Sequence, residues 1–168
     1  MNLPILNIMT TLTQTTTLTI GSSEFGPKDF IPSKYTCEGE NVNPPLTIEN
    51  IPSGAKSLAV IVDDPDAPGG TFIHWVIWNI RPMEMILENA VPGTEGNNSF
   101  GATHYQGPCP PTGTHRYFFK VYALDTLLDI EQGAKLKTLE KAMRDHILGY
   151  GELVGVYRKS AEEKSKYF

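Results

Sequence analysis

The sequence predicts a mostly β protein: an antiparallel Greek-key β-sandwich with one or two peripheral helices. Three observations predict it. The 13 prolines and 15 glycines exceed what a helical bundle tolerates and suit short strands joined by many turns. Strand-like runs come first, and the one clear helical pattern arrives late. The loops between runs are long, which favours Greek-key connections over simple hairpins.

Taken in order, residues 1–16 read as a flexible N-terminal extension. They hold an apolar patch from Leu3 to Met9 but no Lys or Arg before Lys28, so they lack the basic start of a secretory signal. Residues 17–20 alternate and begin the first strand. Phe25 to Pro45 is rich in Gly, Pro and Asn and reads as turns. Leu46–Glu49 is a short strand. Ser57–Asp63 is a nearly continuous apolar run, as expected of a strand buried on both faces. It stops at Asp64-Pro65-Asp66-Ala67-Pro68-Gly69-Gly70, which is turn chemistry throughout.

Phe72–Ile80 is the next strand and a central one, because both of its faces are apolar. On a two-residue period, His74, Val76, Trp78 and Ile80 share a face. Arg81 to Tyr105 is punctuated by Pro82, Pro92, Gly93, Gly96 and Gly101 and reads as loop. Arg116–Leu124 is a strong strand, with His115, Tyr117, Phe119, Val121 and Ala123 on one face. Leu136, Leu139, Met143 and Ile147 recur at helical spacing, so a helix is expected over 136–148, stopped by Gly149 and Gly151. Leu153–Arg158 closes the sheet. Residues 159–168 form a polar tail in which Lys159, Lys164 and Lys166 are solvated.

A chain of 168 residues fits one domain, here 17–158. Its formal charge of −5 argues against nucleic acid, which is met by a basic stripe. No stretch reaches the roughly 20 apolar residues of a membrane-spanning helix. Cys37 and Cys109 are too few for a disulfide scaffold and belong to no CxxC. They are expected as free thiols of a cytoplasmic protein, with Cys109 near a pocket rim; a pairing of the two, and export, are left open.

The common catalytic signatures are missing: no GxSxG, no HExxH, no GxxxxGK. What remains is a pair of rigid loops, each adjoining a strong strand. The first is Asp64 to Pro68, followed by His74. The second is Gly107-Pro108-Cys109-Pro110-Pro111, followed by Gly113, His115, Arg116 and Tyr117. Proline leaves such loops little entropy to lose on binding. Two His, a Tyr and loop N–H groups suit an oxyanion, while a neighbouring Asp orients an imidazole or meets the amine of a zwitterion. Each residue taken singly also has a bland reading, since Asp-Pro-Asp is an ordinary turn and a strand His is commonly a satisfied core residue. Two His and two Asp without compact spacing make a poor metal site. His104 and His146 are assigned no role.

These segments carry a resemblance. Asp64 to Pro68 with the strand HWVIWNI, the run GPCPPTGTHRYFFKVYALD, and the stretch from Tyr35 to Leu46 resemble, in order and spacing, motifs of the phosphatidylethanolamine-binding protein family in its prokaryotic Raf-kinase-inhibitor-like branch. The resemblance spans about residues 17–158. It implies a central antiparallel sheet packed on a smaller one. It also implies a surface pocket for phosphate-like anions, including phospholipid headgroups. Carried over by position, the ligand-binding residues are Asp64, Asp66, Pro68, His74, Gly107, Pro110, Pro111, His115 and Tyr117, with no catalytic residue, metal or cofactor. The eukaryotic branch has a longer, aromatic-bearing insert after the first loop; only Gly69 to Ile73 stand here, so the rim differs. A closing C-terminal helix over the pocket is not expected in Lys159–Phe168. The expected role is a non-enzymatic, ligand-binding regulator of a partner protein. The alternatives are an inhibitor of a serine protease or kinase acting through an exposed loop and, more remotely, a weak hydrolase. A homodimer stays open.

Overall fold

The computed structural model describes residues 14–160; the expectations for 1–13, and for the tail after residue 160, lie outside them. Two sheets carry the fold. The larger holds six strands in the order β1-β9-β8-β4-β5-β7, and the smaller three in the order β2-β3-β6. In chain order these are β1 Thr16–Thr17, β2 Thr19–Gly21, β3 Leu46–Glu49, β4 Ser57–Asp64, β5 Phe72–Ile80, β6 Met85–Ile86, β7 Thr94–Glu95, β8 His115–Leu124 and β9 Ile147–Tyr157. The single α-helix of the described residues, α1, spans Leu136–Met143 and precedes β9, and a short 3-10 helix spans Ser33–Tyr35. All strand pairings are antiparallel except β1 with β9, where Thr16 lies against Gly149. Thr16 is therefore part of the folded domain rather than of an extension.

β4 is central because its sequence leaves no face to expose, and β8 beside it buries one apolar face while its other face carries Arg116 and Lys120. Every residue of β4 is buried, and on β8 His115, Tyr117, Phe119, Val121 and Ala123 alternate inward, as the sequence predicts. Two cores result, one on each face of the large sheet. Between the sheets, Leu58, Val60, Val62, Trp75, Ile77, Phe119 and Val121 pack with Ile20, Leu46, Ile48 and Ile86. On the outer face, Ala59, Ile61, Val76 and Trp78 pack under Leu139 and Met143 of α1. Each fully buried aliphatic or aromatic side chain contributes about 1.5–3 kcal/mol of transfer free energy.

Three expectations fail, each for a physical reason. The first is the face assignment on β5. Ile73 pairs with Asp63 but Trp75 with Val62, and Ile77 pairs with Val60 but Ile80 with Leu58. β5 thus advances an extra residue at two places, which is the register of a β-bulge. Val76 and Trp78 face the outer core, whereas Ile80 and Trp75 face the inner one. His74 joins the inner side, its ring 5.3 Å from that of Tyr117. At the second bulge Asn79 takes φ 55°. Its side chain donates to the Leu128 carbonyl and accepts from the Leu128 N–H, which suits an Asn in the left-handed region.

The second is the helix, which ends at Met143 instead of 148. Asp145 adopts φ 69° and turns the chain into β9, so Ile147 pairs with Leu124. Gly149 and Gly151 lie inside that strand and stop nothing. A Cβ on Gly151 would stand 2.2 Å from the Leu18 carbonyl oxygen, so this glycine lets the N-terminal strands cross closely over β9. The third concerns Arg81 to Tyr105, which holds two-residue strands β6 and β7, too short to show a period.

Candidate functional site

A cavity of about 250 Å³ opens where the two rigid loops meet. Its walls are Asp64, Ala67, Pro68, Phe72, His74, Phe100, Cys109, Pro110, Pro111 and Tyr117. Residues from β4, β5, β8 and the β4–β5 and β7–β8 connections thus converge. The β5 bulge makes this possible, because without it the His74 ring would point into the outer core.

Six of the nine sequence-derived positions line the cavity: Asp64, Pro68, His74, Pro110, Pro111 and Tyr117. The other three stand behind them. His115 is buried, and its Nδ1 lies 2.7 Å from Asp64 Oδ2; donating to that carboxylate, it aims Asp64 at the cavity. Asp66 accepts from the Arg116 backbone N–H at 2.9 Å and from its guanidinium at 3.0 and 2.9 Å. It pins its loop to β8 instead of facing a ligand. Arg116 holds its carboxyl down at about 2. Gly107 donates its N–H to Asn41 Oδ1 at 2.7 Å. A Cβ there would come within 2.0 Å of the Tyr35 carbonyl oxygen, so glycine is required for the loop to lie against Tyr35.

The cavity is electrostatically sparse. Among the described residues no Lys or Arg lines it. His74 Nδ1 donates to the Gln106 carbonyl at 2.7 Å, which leaves Nε2 as its remaining polar atom. Burial lowers the His74 pKa, so the ring is neutral near pH 7. Tyr117 is fully buried, and among the described residues its hydroxyl makes no hydrogen bond of good geometry. Burial first, and then the nearby Asp64 charge, raise its pKa. A buried polar group left unpaired is costly.

The sequence reading misses Phe72 and Phe100, which meet edge to face at 4.7 Å beside His74. Phe72 lies two residues before His74, within reach of the strand pattern. Phe100 comes from a loop, and no sequence pattern marks it. Together they supply an aromatic rim without the eukaryotic insert. Ala67 and Cys109 belong to the quoted loops.

The two cysteines are corrected outright: Cys37 and Cys109 form a disulfide, with Cα atoms 5.5 Å apart. The free-thiol expectation rested on their low number. It could not register that the two loops lie side by side, where the Cys37 N–H also donates to the Pro108 carbonyl. The cytoplasmic expectation loses the support of reduced thiols. Among the described residues no helix is long and apolar enough to cross a membrane, and no group of three or more His, Cys, Asp or Glu is placed to hold a metal ion.

With the site in place, comparison with known proteins decides its kinship. The model of the phosphatidylethanolamine-binding protein family matches residues 21–158. The chain belongs to that family. Among its relatives, a UPF0098 protein of Pyrococcus abyssi is 54% identical over 149 residues, covering 82% of this chain and 84% of the relative. One from Methanothermobacter thermautotrophicus is 50% identical over 143 residues, or 80% and 95% of the two chains. Among solved structures, a phosphatidylethanolamine-binding protein homologue from Chlamydia trachomatis superposes with a TM-score of 0.83 at 38% identity, covering 87% of this chain and all of that one. YbcL of Escherichia coli, described as a new member of the mammalian family, gives 0.79 at 29% identity over 85% and 99% of the chains. Membership in the phosphatidylethanolamine-binding protein family supports a binding, regulatory role at the level of the family.

Proposed function

We propose that the cavity binds a small anion of the phosphate class, free or as a phospholipid headgroup such as phosphoethanolamine, and that the occupied protein regulates a protein partner without catalysing a reaction. One observation carries the reading. Tyr117 places a fully buried, unpartnered hydroxyl at the cavity wall, and an anionic oxygen is the partner that such a donor lacks. His74 adds a second donor once protonated, and Pro68, Pro110 and Pro111 hold the walls still. Because no Lys or Arg among the described residues lines the cavity, the anion's charge is met by hydrogen bonds and by a proton that His74 takes up on binding. Asp64 faces the same space and favours a ligand that also carries an ammonium.

Calorimetric titration with sulfate and with phosphoethanolamine, on the native protein and on Tyr117→Phe, tests this. Both ligands should bind the native protein, phosphoethanolamine more tightly. Tyr117→Phe should lose about 1.5–3 kcal/mol of the affinity for either, the size of a hydrogen bond to a charged group. Equal affinity in the variant, or no heat from either ligand, refutes the proposal.

A further inference from the structure

We infer that the Cys37–Cys109 disulfide is a thiol–disulfide exchange site, open to small dithiol reductants, whose state sets how tightly the adjoining cavity holds its ligand; the second half rests on the anion-pocket reading above. The disulfide is placed for this. Cys109 is half-buried and forms part of the cavity wall, while Cys37 is an exposed residue that does not line the cavity. An incoming thiolate therefore has its approach at the Cys37 sulfur, not at the cavity side. Attack there joins the reductant to Cys37, breaks the protein S–S bond, and sends the electron pair to Cys109 Sγ. The second thiolate of the dithiol then attacks its own sulfur in the mixed disulfide and releases Cys37. The dithiol leaves as a cyclic disulfide, oxidised by two electrons. The protein is reduced by two and takes two protons from solvent.

The structural effect of reduction is local. The Tyr105–Pro111 segment keeps its other ties to the Tyr35–Asn41 stretch once the S–S bond is gone. The Cys37 N–H donates to the Pro108 carbonyl, Gly107 N–H donates to Asn41 Oδ1, and the Tyr105 hydroxyl donates to the Tyr35 carbonyl. The two core clusters contain neither cysteine. Reduction thus frees the Cys109 side chain without detaching its loop. The cavity then has one wall that must be ordered again when the ligand binds, and lost preorganisation reads out as weaker binding. The released thiol also faces the ligand space, so a ligand should shield it.

The test uses the native protein in oxidised form and after equilibration with dithiothreitol, with far-UV circular dichroism confirming that both are folded. Sulfate is titrated by calorimetry into each and into Cys37→Ser. In parallel, both cysteines are labelled with iodoacetamide and quantified by mass spectrometry. Dithiothreitol should make both cysteines alkylatable under native conditions, and sulfate should slow labelling of Cys109 more than of Cys37. Reduction should weaken sulfate binding by about threefold or more. Cys37→Ser should bind like the reduced protein and not respond to dithiothreitol. Equal affinities in the three forms overturn the gating, and cysteines that stay unlabelled under dithiothreitol overturn the exchange site. If the oxidised protein binds no sulfate, the anion-pocket reading falls and the gating with it, while labelling still decides whether the disulfide exchanges. Should Cys37→Ser not fold, the reduced native protein alone decides the affinity comparison.

Discussion

Tyr117 and His74 are the residues at which binding and stability part company. The Tyr117 hydroxyl is buried and unpartnered, so its removal should cost the fold nothing. Tyr117→Phe is expected to change the free energy of unfolding by less than about 1 kcal/mol, or to raise it, while weakening ligand binding; urea titration beside the calorimetry checks this. His74 has a pKa lowered by burial, so the folded state prefers the neutral ring and the unfolded chain binds the proton more readily. The stability this represents is present above the usual His pKa of 6.5 and is lost as pH falls through the lowered value. The thermal midpoint of the native protein should therefore drop more steeply below pH 6.5 than that of His74→Asn. On the proposed reading, sulfate binding should have the opposite slope and strengthen over the same range, because it recruits the proton. Asp66 belongs to another window. Its carboxyl is held at about 2 by Arg116, so its contribution is intact above 3.8 and disappears as pH falls through 2. Both partners are partly exposed, so that contribution is about 0–1 kcal/mol. Asp66→Asn should flatten only the acid limb of the stability curve.

Among the elements, the strand pair β8–β9 and the disulfide make separable predictions. Gly151 sits where β9 passes under Leu18, whose carbonyl oxygen leaves only 2.2 Å for a Cβ. Gly151→Ala is expected to cost about 1–3 kcal/mol by pushing the N-terminal strands off the sheet, measured as a lower urea midpoint. The disulfide joins cysteines 72 residues apart in the chain. Reducing it should cost about 2–5 kcal/mol in the same measurement, most of it through the unfolded chain. Strand existence was legible in the sequence because alternation and apolar runs are local signals: Leu46–Glu49 and Phe72–Ile80 stand where they were expected. The β5 bulges were not legible, because a register against β4 is a relation between two segments. The helix was overextended for a related reason. Ile147 fits the helical spacing, but pairing with Leu124 outweighs a weak local preference.

Across the whole molecule, the large sheet is shared by both cores, so neither can melt alone. Phe119→Ala in the inner core and Leu139→Ala in the outer core should each cost about 2–5 kcal/mol. Each should lower one common transition, with calorimetric and van't Hoff enthalpies equal. Two resolved transitions in the Leu139 variant would show that α1 and its cluster form a separate unit. The sequence by itself determined the β-rich class, the strong central strands, the two proline-stiffened loops and most of the residues that line the cavity. These depend on neighbours within a few positions, and the loop motifs resemble those of the family. Only the tertiary structure decided that His74 turns inward, that His115, Asp66 and Gly107 support the site from behind, that Phe100 completes the rim, and that Cys37 meets Cys109. Each of these joins residues far apart in the chain, or depends on the register between strands. Such contacts are fixed when the sheets close on their cores, and no local pattern of residues encodes them.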